Sequence, residues 1–514
     1  MSDNSPGDNG ERRSFTSRTP ANDNPDRVTY RRGFVTRHQV TGWRFLMRRI
    51  ASGVALHDTR MLVDPLRTQS RAVLMGVLIL ITGVIGCFVF SLIRPNGTVG
   101  NNAVLADRDT AALYVRVGDQ LHPVLNLTSA RLIAGEPVNP VQVKSTELDK
   151  LPRGSAVGIP GAPERMVQNT SRDADWTVCD GTGATASGVT VIVGAPAHGG
   201  ERAAELADTS AVLVDNGAAS GPRTWLLWDG RRSPVDLTDH AVTSALGLAS
   251  NSPAVRPISP GLFNAVPESA PLTAPVIAAA GTPPQFDLPV PAPVGAVVVA
   301  YGTDNALLYY AVLPDGLQPV SPVLAAILRN TNSFGLAQPP ELGADDIARL
   351  PVSRLLDTAA YPAQRLSLVD TAASPVTCAE WTKPVDASTS SLTLLSGSAL
   401  PLADGAHTVD LVGGGRNGSA NRVAVPPGSG YFVQTVGQEA SSPDAGSLFW
   451  VADTGVRYGI EGGQNADQVT KTIAALGLTA PATPMPWSVL SLFSAGPALS
   501  KADALTAYAG TENR

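Results

Sequence analysis

Holding a nucleotide's phosphates takes backbone amides around the anion and, in a Walker A loop, a lysine that reaches the terminal phosphates. The glycine pattern nearest to this is Gly413-x-Gly415-x-x-Gly418, after the strand-like stretch Thr408–Val412. The next residues, Ser419–Pro427, read as strand and turn, with no helix amino terminus to hold a pyrophosphate. No Gly-Lys dipeptide occurs, and the five lysines (Lys144, Lys150, Lys383, Lys471, Lys501) are scattered. There is no Gly-x-Ser-x-Gly elbow, no His-Glu-x-x-His zinc pattern and no Cys-x-x-Cys pair. Six histidines, at 38, 57, 122, 198, 240 and 407, are dispersed. The acids Asp345 and Asp346 read as the first turn of a helix, where carboxylates favour the dipole. The expectation is no catalytic residue, no metal site and no cofactor. The sequence does not show an enzyme.

The elements around these residues say more. The chain has 514 residues, a net charge of −6, 43% hydrophobic and 16% charged residues, with 49 Gly and 42 Pro. That composition argues against a helical bundle or wholesale disorder and suits short strands and helices over several cores. Charge is uneven: residues 1–71 hold thirteen Arg against seven acids, and the remainder holds 25 bases against 37 acids. A basic head and an acidic body point to two compartments, and nothing points to nucleic acid.

The run Ala72–Ile93 separates them, 22 uncharged residues between Arg71 and Arg94. As a helix it is about 33 Å long, enough to cross a ~30 Å hydrocarbon core. Residues 27–71 hold ten Arg and two Asp, so the positive-inside rule predicts a cytosolic amino terminus and an external body from 94 onward. Residues 1–35 are expected to be a disordered cytosolic tail. Over 36–71 a basic amphipathic helix is expected, because Val40, Trp43, Met47, Ile50 and Val54 recur at helical steps. Arg44, Arg48 and Arg49 lie off that stripe. The helix suits an anionic membrane surface, a partner's cytosolic domain, or both.

The body contains a weak repeat. Leu113–Val117, Gly118-Asp119 and Leu121–Val124 resemble Leu308–Val312, Asp315-Gly316 and Leu317–Val320: strand, tight turn, strand, then a helix over Leu127–Ala134 or Val323–Asn330. A second pair matches more loosely. Trp225–Trp228 with Asp229-Gly230 and a later Gly247 answers Leu448–Val451 with Asp453-Thr454-Gly455 and a later Gly477, the last glycine of each closing a helix. The order predicts a duplicated half and an elongated, pseudo-two-fold body: repeats at 110–165, 222–270, 297–365 and 446–500, central segments at 166–221 and 366–445, and a proline-rich connector at 271–296. The expected fold class is α+β. Cys179 and Cys378 have mirrored contexts, Trp176-Thr177-Val178-Cys179 and Cys378-Ala379-Glu380-Trp381. One disulfide between them is expected, with Trp176 and Trp381 flanking and shielding it, and Cys87 left free in the span.

Several stretches also resemble a known family. Arg37-x-Gln39-Val40-x-Gly42-Trp43-x-Phe45, Ala106-Asp107-Arg108, Leu113–Gly118, Gly158–Pro163 and the closing Gly496–Ser500 with Ala502–Leu505 look like EccB, the B core component of the mycobacterial ESX, or type VII, secretion system. The head, with Arg32-Gly33-Phe34-Val35-Thr36-Arg37-His38-Gln39-Val40, resembles the third, iron- and zinc-linked ESX paralogue. The resemblance implies a single-pass inner-membrane subunit whose periplasmic body has four repeats around a central disulfide-bearing domain. It implies assembly with copies of itself, with an FtsK-like EccC motor, EccD and EccE, and work alongside a mycosin protease. Family members are also described as ATPases. The leading expectation is a structural export subunit; the rivals are an ATP hydrolase with an unconventional site and a periplasmic cell-wall-binding module.

Overall fold

The computed structural model describes residues 36–57, 65–93, 99–183, 186–248, 255–415, 418–462 and 465–508. The expected tail over 1–35 lies outside the described residues. The chain divides into two units, Met1–Pro95 and Asn96–Arg514.

The first unit has two helices, α1 (Arg37–Leu56) and α2 (Pro65–Ile93). Thr36 starts α1 with a capping box: its side chain accepts from the Gln39 amide, and the Gln39 side chain accepts from the Thr36 amide. In α2 the stretch Ser70–Phe90 has a mean hydropathy of 2.8 and is long and apolar enough to cross a membrane. The polar Thr82 is accommodated there because its hydroxyl donates to the Leu78 carbonyl at 2.7 Å.

The second unit contains four small sheets that follow the same course. In the first, Val104–Asp107, Leu113–Val117 and Gln120–Pro123 run antiparallel in turn; helix Leu127–Ala134 comes next, and Val141–Val143 returns parallel to the first strand. In the second the strands are Ser210–Asp215, Thr224–Trp228 and Arg231–Pro234, the helix His240–Leu246 and the return Arg256–Pro257. The third has Val297–Tyr301, Leu307–Leu313, Gly316–Val320 and helix Pro322–Thr331, with a single parallel bridge, Val299 to Glu341, as its return. Tyr431–Val436, Leu448–Val451, Val456–Gly459, helix Ala466–Leu476 and Thr483–Pro486 make the fourth. Asn126 and Ser321 cap their helices by accepting from Ser129 and Leu324 amides, while Gly247 and Gly477 end theirs in the left-handed region.

A seven-stranded sheet lies among these four. Its order is Val409–Asp410, Arg422–Ala424, Gly188–Val193, Ala174–Gly181, Val376–Lys383, Ser391–Gly397, Ala204–Glu205. Trp176, Trp225, Trp381, Leu262, Tyr431 and Phe493 join one core that reaches from this sheet into the second and fourth small sheets. Two further cores link the small sheets in pairs. Leu132 and Ile133 pack with Leu476, Leu478 and Leu499, and Val242 and Leu246 pack with Val323 and Ile327. The proline-rich stretch runs along these elements: Glu268 and Leu272 bridge to Arg232 and Val235, and Phe286, Leu288 and Val290 pack on the core of the third sheet.

The turn at Asp229-Gly230 shows how tightly a small sheet meets the central one. Both residues have positive φ, 45° and 68°, as a two-residue hairpin turn requires. A Cβ on Gly230 would stand 2.3 Å from the Leu392 carbonyl oxygen, inside the central sheet. Gly230→Ala is therefore expected to cost roughly 1–3 kcal/mol, from strain and forced displacement together. Thermal unfolding of the variant would show the drop, whereas Ala at the equally left-handed but open Gly118 would cost less.

Candidate functional site

Strand Ala174–Gly181 pairs antiparallel with Val376–Lys383 through eight positions, and within this register Cys179 stands opposite Cys378. Their Cα atoms are 4.0 Å apart and their sulfurs are bonded, across a sequence separation of 199. Ile192, Leu395, Ala203 and Ala424 cover the bridge, with Leu400 and Leu402 packed behind them. Both cysteines are fully buried. Cys87 is a free thiol on α2.

The two tryptophans do not shield the bridge. Trp176 stands opposite Trp381, but each is three positions from its cysteine, and side chains alternate faces with period two. They belong to the core on the other face, while the cysteines belong to a separate cluster. Trp176 packs edge-on against Tyr431 at 5.5 Å and donates from its indole nitrogen to the Pro484 carbonyl at 2.8 Å.

Next to the bridge is a buried ion pair that no pattern in the sequence announces. Arg256, from the return strand of the second small sheet, is 4% exposed, and the Asp180 side chain 3%. Its Nη2 lies 3.4 Å from Asp180 Oδ2 and donates to the Asp180 carbonyl at 3.0 Å; its Nη1 donates to Thr377 Oγ1 at 2.7 Å. Asp180 also accepts from the Ser259 amide and hydroxyl, at 2.9 and 2.8 Å. Burial pulls the Arg256 guanidinium below its ordinary value, and Asp180 opposes that shift. Residues adjacent to both cysteines are thus held by one guanidinium.

Elsewhere the chemistry is sparse. The glycine pattern at 413–418 lies between Val409–Asp410 and Arg422–Ala424, which form a hairpin, with its residues 416 and 417 outside the described residues. Gly414 donates its amide to Leu411 and Gly415 to Ala420, so these amides serve the turn. Among the described residues no group of three or more His, Cys, Asp or Glu is placed to hold a metal. On α1 the residues Val40, Trp43, Met47, Ile50 and Val54 are all exposed, Trp43 at 63%, and Arg44, Arg48 and Arg49 are exposed beside them.

The profile described as "Type VII secretion system ESX-1, transport TM domain B" matches residues 32–512. The chain belongs to the EccB family. It is 68% identical over 498 residues to "ESX-3 secretion system ATPase EccB3" of Mycolicibacterium smegmatis, covering 97% of this chain and 95% of that one. To "ESX-5 secretion system ATPase EccB5" of Mycobacterium tuberculosis it is 37% identical over 491 residues, covering 93% and 94%. Among solved structures, "Structure of EccB3 dimer from the ESX-3 core complex" matches with a TM-score of 0.70 at 64% identity, over 79% of this chain and all of that one. "Structure of an intact ESX-5 inner membrane complex" matches with a TM-score of 0.71 at 36% identity, over 94% and 98%. In this EccB-family chain the cysteine pair, the Arg256–Asp180 pair and the stripe of α1 all lie within the matched residues.

The central strands generate two expectations. Arg256→Ala leaves Asp180 buried without its cation, a loss of roughly 3–5 kcal/mol, which denaturant unfolding of the oxidised protein would measure. Glu380 is on the disulfide face; burial holds its carboxyl above the usual Glu range, with His198 opposing and Asp175 and Glu205 adding to the rise. A raised folded-state pKa means the native state keeps its proton longer than the unfolded chain. Stability is then lost as pH climbs from the ordinary carboxylate range through the folded value. Glu380→Gln should therefore melt higher than the parent at neutral pH, with the gap closing below roughly pH 4; a gap independent of pH would contradict this.

Proposed function

We propose that this EccB-family chain is a structural core subunit of a type VII secretion complex, organising the external side of the assembly. The observation that carries this reading is its match to a subunit of an intact ESX inner membrane complex over 94% of its length. In this reading α2 crosses the inner membrane once over 72–93, the amino terminus is cytosolic and the body is periplasmic. The ten arginines against two acids in 27–71 support that direction. The body's repeats then occupy 110–165, 222–270, 297–365 and 446–500, around a central domain at 166–221 and 366–445. Its halves are related by a pseudo-two-fold axis near the cysteine pair, in support of which Trp176 answers Trp381 and strand Gly188–Val193 answers Ser391–Gly397 across the central pair.

The partners are copies of itself, an FtsK-like EccC motor, EccD, EccE and a mycosin protease, in an export system tied to iron and zinc homeostasis. A relative solved as a dimer and relatives solved within inner membrane complexes support such assembly. The exposed apolar stripe and arginines of α1 are suited to docking at the inner leaflet. A second reading comes from the relatives' names, which call them ATPases. The first reading needs no cofactor and leaves energy supply to the EccC-type motor.

Purification of the full chain from gently solubilised membranes, through a carboxy-terminal tag, tests both readings. The other core subunits should co-purify, deletion of 36–64 should release the EccC-type motor or another of these subunits, and the purified chain should hydrolyse ATP no faster than a mock preparation. Recovery of the chain alone would overturn the core-subunit reading. ATP turnover lost through a single substitution would establish the rival.

A further inference from the structure

After its return, each small sheet sends a segment back beside its third strand, and the register of that segment repeats. Bridges join Leu121 to Arg153 and Val124 to Val157 in the first sheet, and Arg232 to Glu268 and Val235 to Leu272 in the second. In the fourth they join Arg457 to Ala495 and Ile460 to Leu499. Each time the sheet advances three residues while the segment advances four. In the third sheet Leu317 pairs with Val352, and the Gln318 side chain takes the second place, holding the Leu356 amide and carbonyl at 2.8 and 2.7 Å. The residues just before the second contact are therefore equivalent: Ala156, Pro271, Leu355 and Ala498.

These four positions lie on the outer margin of their sheets, and the third differs from the rest. Strand Ala507–Tyr508 pairs antiparallel with Ala156–Val157 and covers the first. Pro271 has no N–H to offer, and Ala498 is small and half-buried. Leu355 is 63% exposed, and Val352, at the place of Arg153, is 70% exposed. Leu317 donates its amide to the Pro351 carbonyl at 2.8 Å and accepts from the Ser353 amide at 2.9 Å. The N–H and C=O of Val352 itself therefore turn outward, and neither bonds to another backbone group among the described residues. Arg354, between the two apolar residues, is exposed, and its guanidinium has no ion-pair or hydrogen-bond partner among the described residues. Natural sheets cover or block such edges, as the first two do here; the third is open.

We propose that the edge at 352–356 docks an extended segment of another protein, laid antiparallel as Ala507–Tyr508 is on the first sheet, with a carboxylate side chain beside Arg354. The outward N–H and C=O call for a backbone. An apolar small molecule or a lipid tail would cover Val352 and Leu355 but strip water from these groups without replacing it. The exposed valine and leucine call for an apolar residue in that segment, and the unpaired guanidinium for an acid next to it. Pairing with the same edge of a second copy is disfavoured, because it would bring two Arg354 guanidiniums together. So short an edge buries far less than a standard interface, and the contact works in addition to others.

Fluorescence polarisation with the full chain in detergent micelles tests this, with the labelled peptide Thr-Val-Glu-Val-Thr as probe. Saturable binding is expected. A peptide with Lys in place of Glu should bind about tenfold more weakly, an attraction having become a repulsion. Methylating the peptide's backbone nitrogens should also weaken binding about tenfold, since it removes the donors and leaves the side chains. Arg354→Glu should reverse the order of the two peptides, and Leu355→Ser should weaken both about threefold. The reversal is a gain of binding that a misfolded variant could not give. No saturable signal, equal binding of the methylated peptide, or an unchanged preference in Arg354→Glu would overturn the proposal. So would a sedimentation shift to smaller species in Leu355→Ser with peptide binding unaltered, since a second copy would then hold the edge.

Discussion

One strand pairing governs the body. Ala174–Gly181 and Val376–Lys383 come from segments about two hundred residues apart, and closing such a loop is unfavourable until the pair is aligned. Once aligned, the register admits no neighbour. A slip of either strand by one residue would turn its tryptophan onto the disulfide face and carry its cysteine into the main core. The sulfur bridge and the Arg256 guanidinium, which reaches Asp180 and Thr377 on the two strands, hold the same alignment by different means. The bridge limits the unfolded chain, while the ion pair adds a penalty for any native-like state in which the strands separate.

Much of this was legible in the sequence where periodicity or a special backbone conformation left a signature. Helix Leu127–Ala134 has the bounds its pattern predicts, Gly247 and Gly477 end helices as their positions imply, and the apolar run after Arg71 lies in a helix that also takes in residues before it. The second and third strands of the first and third small sheets are legible because a tight turn separates them, as is the second strand of each of the other two. The return strands were not: Arg256–Pro257 has two residues and the third sheet has a single bridge, too short to show any period. The tryptophans face away from the bridge they were expected to shield because an odd spacing along a strand places two side chains on opposite sides. Arg256 left no signal, because a lone arginine in a chain with 33 of them says nothing about burial.

The sharing of cores explains why the body is one unit despite its small sheets. A segment of about fifty residues buries too little surface to be stable alone. Here the first sheet closes its core with the fourth and the second with the third, each through a pair of helices. The central core then draws in strands of the second and fourth sheets, beside Trp176 and Trp381. Packing therefore runs along one path, from the first sheet to the fourth, through the central strands to the second, and on to the third. The beginning and end of the body meet, as Leu132 against Leu476 and Leu499, though hundreds of residues separate them in sequence. Loosening the fourth sheet, the central strands or the second sheet exposes apolar surface on two neighbours at once. The disulfide fixes the junction at which this path crosses from one half of the chain to the other, and for a subunit whose task is to hold others in place, resistance to local opening is the property the sequence has to encode.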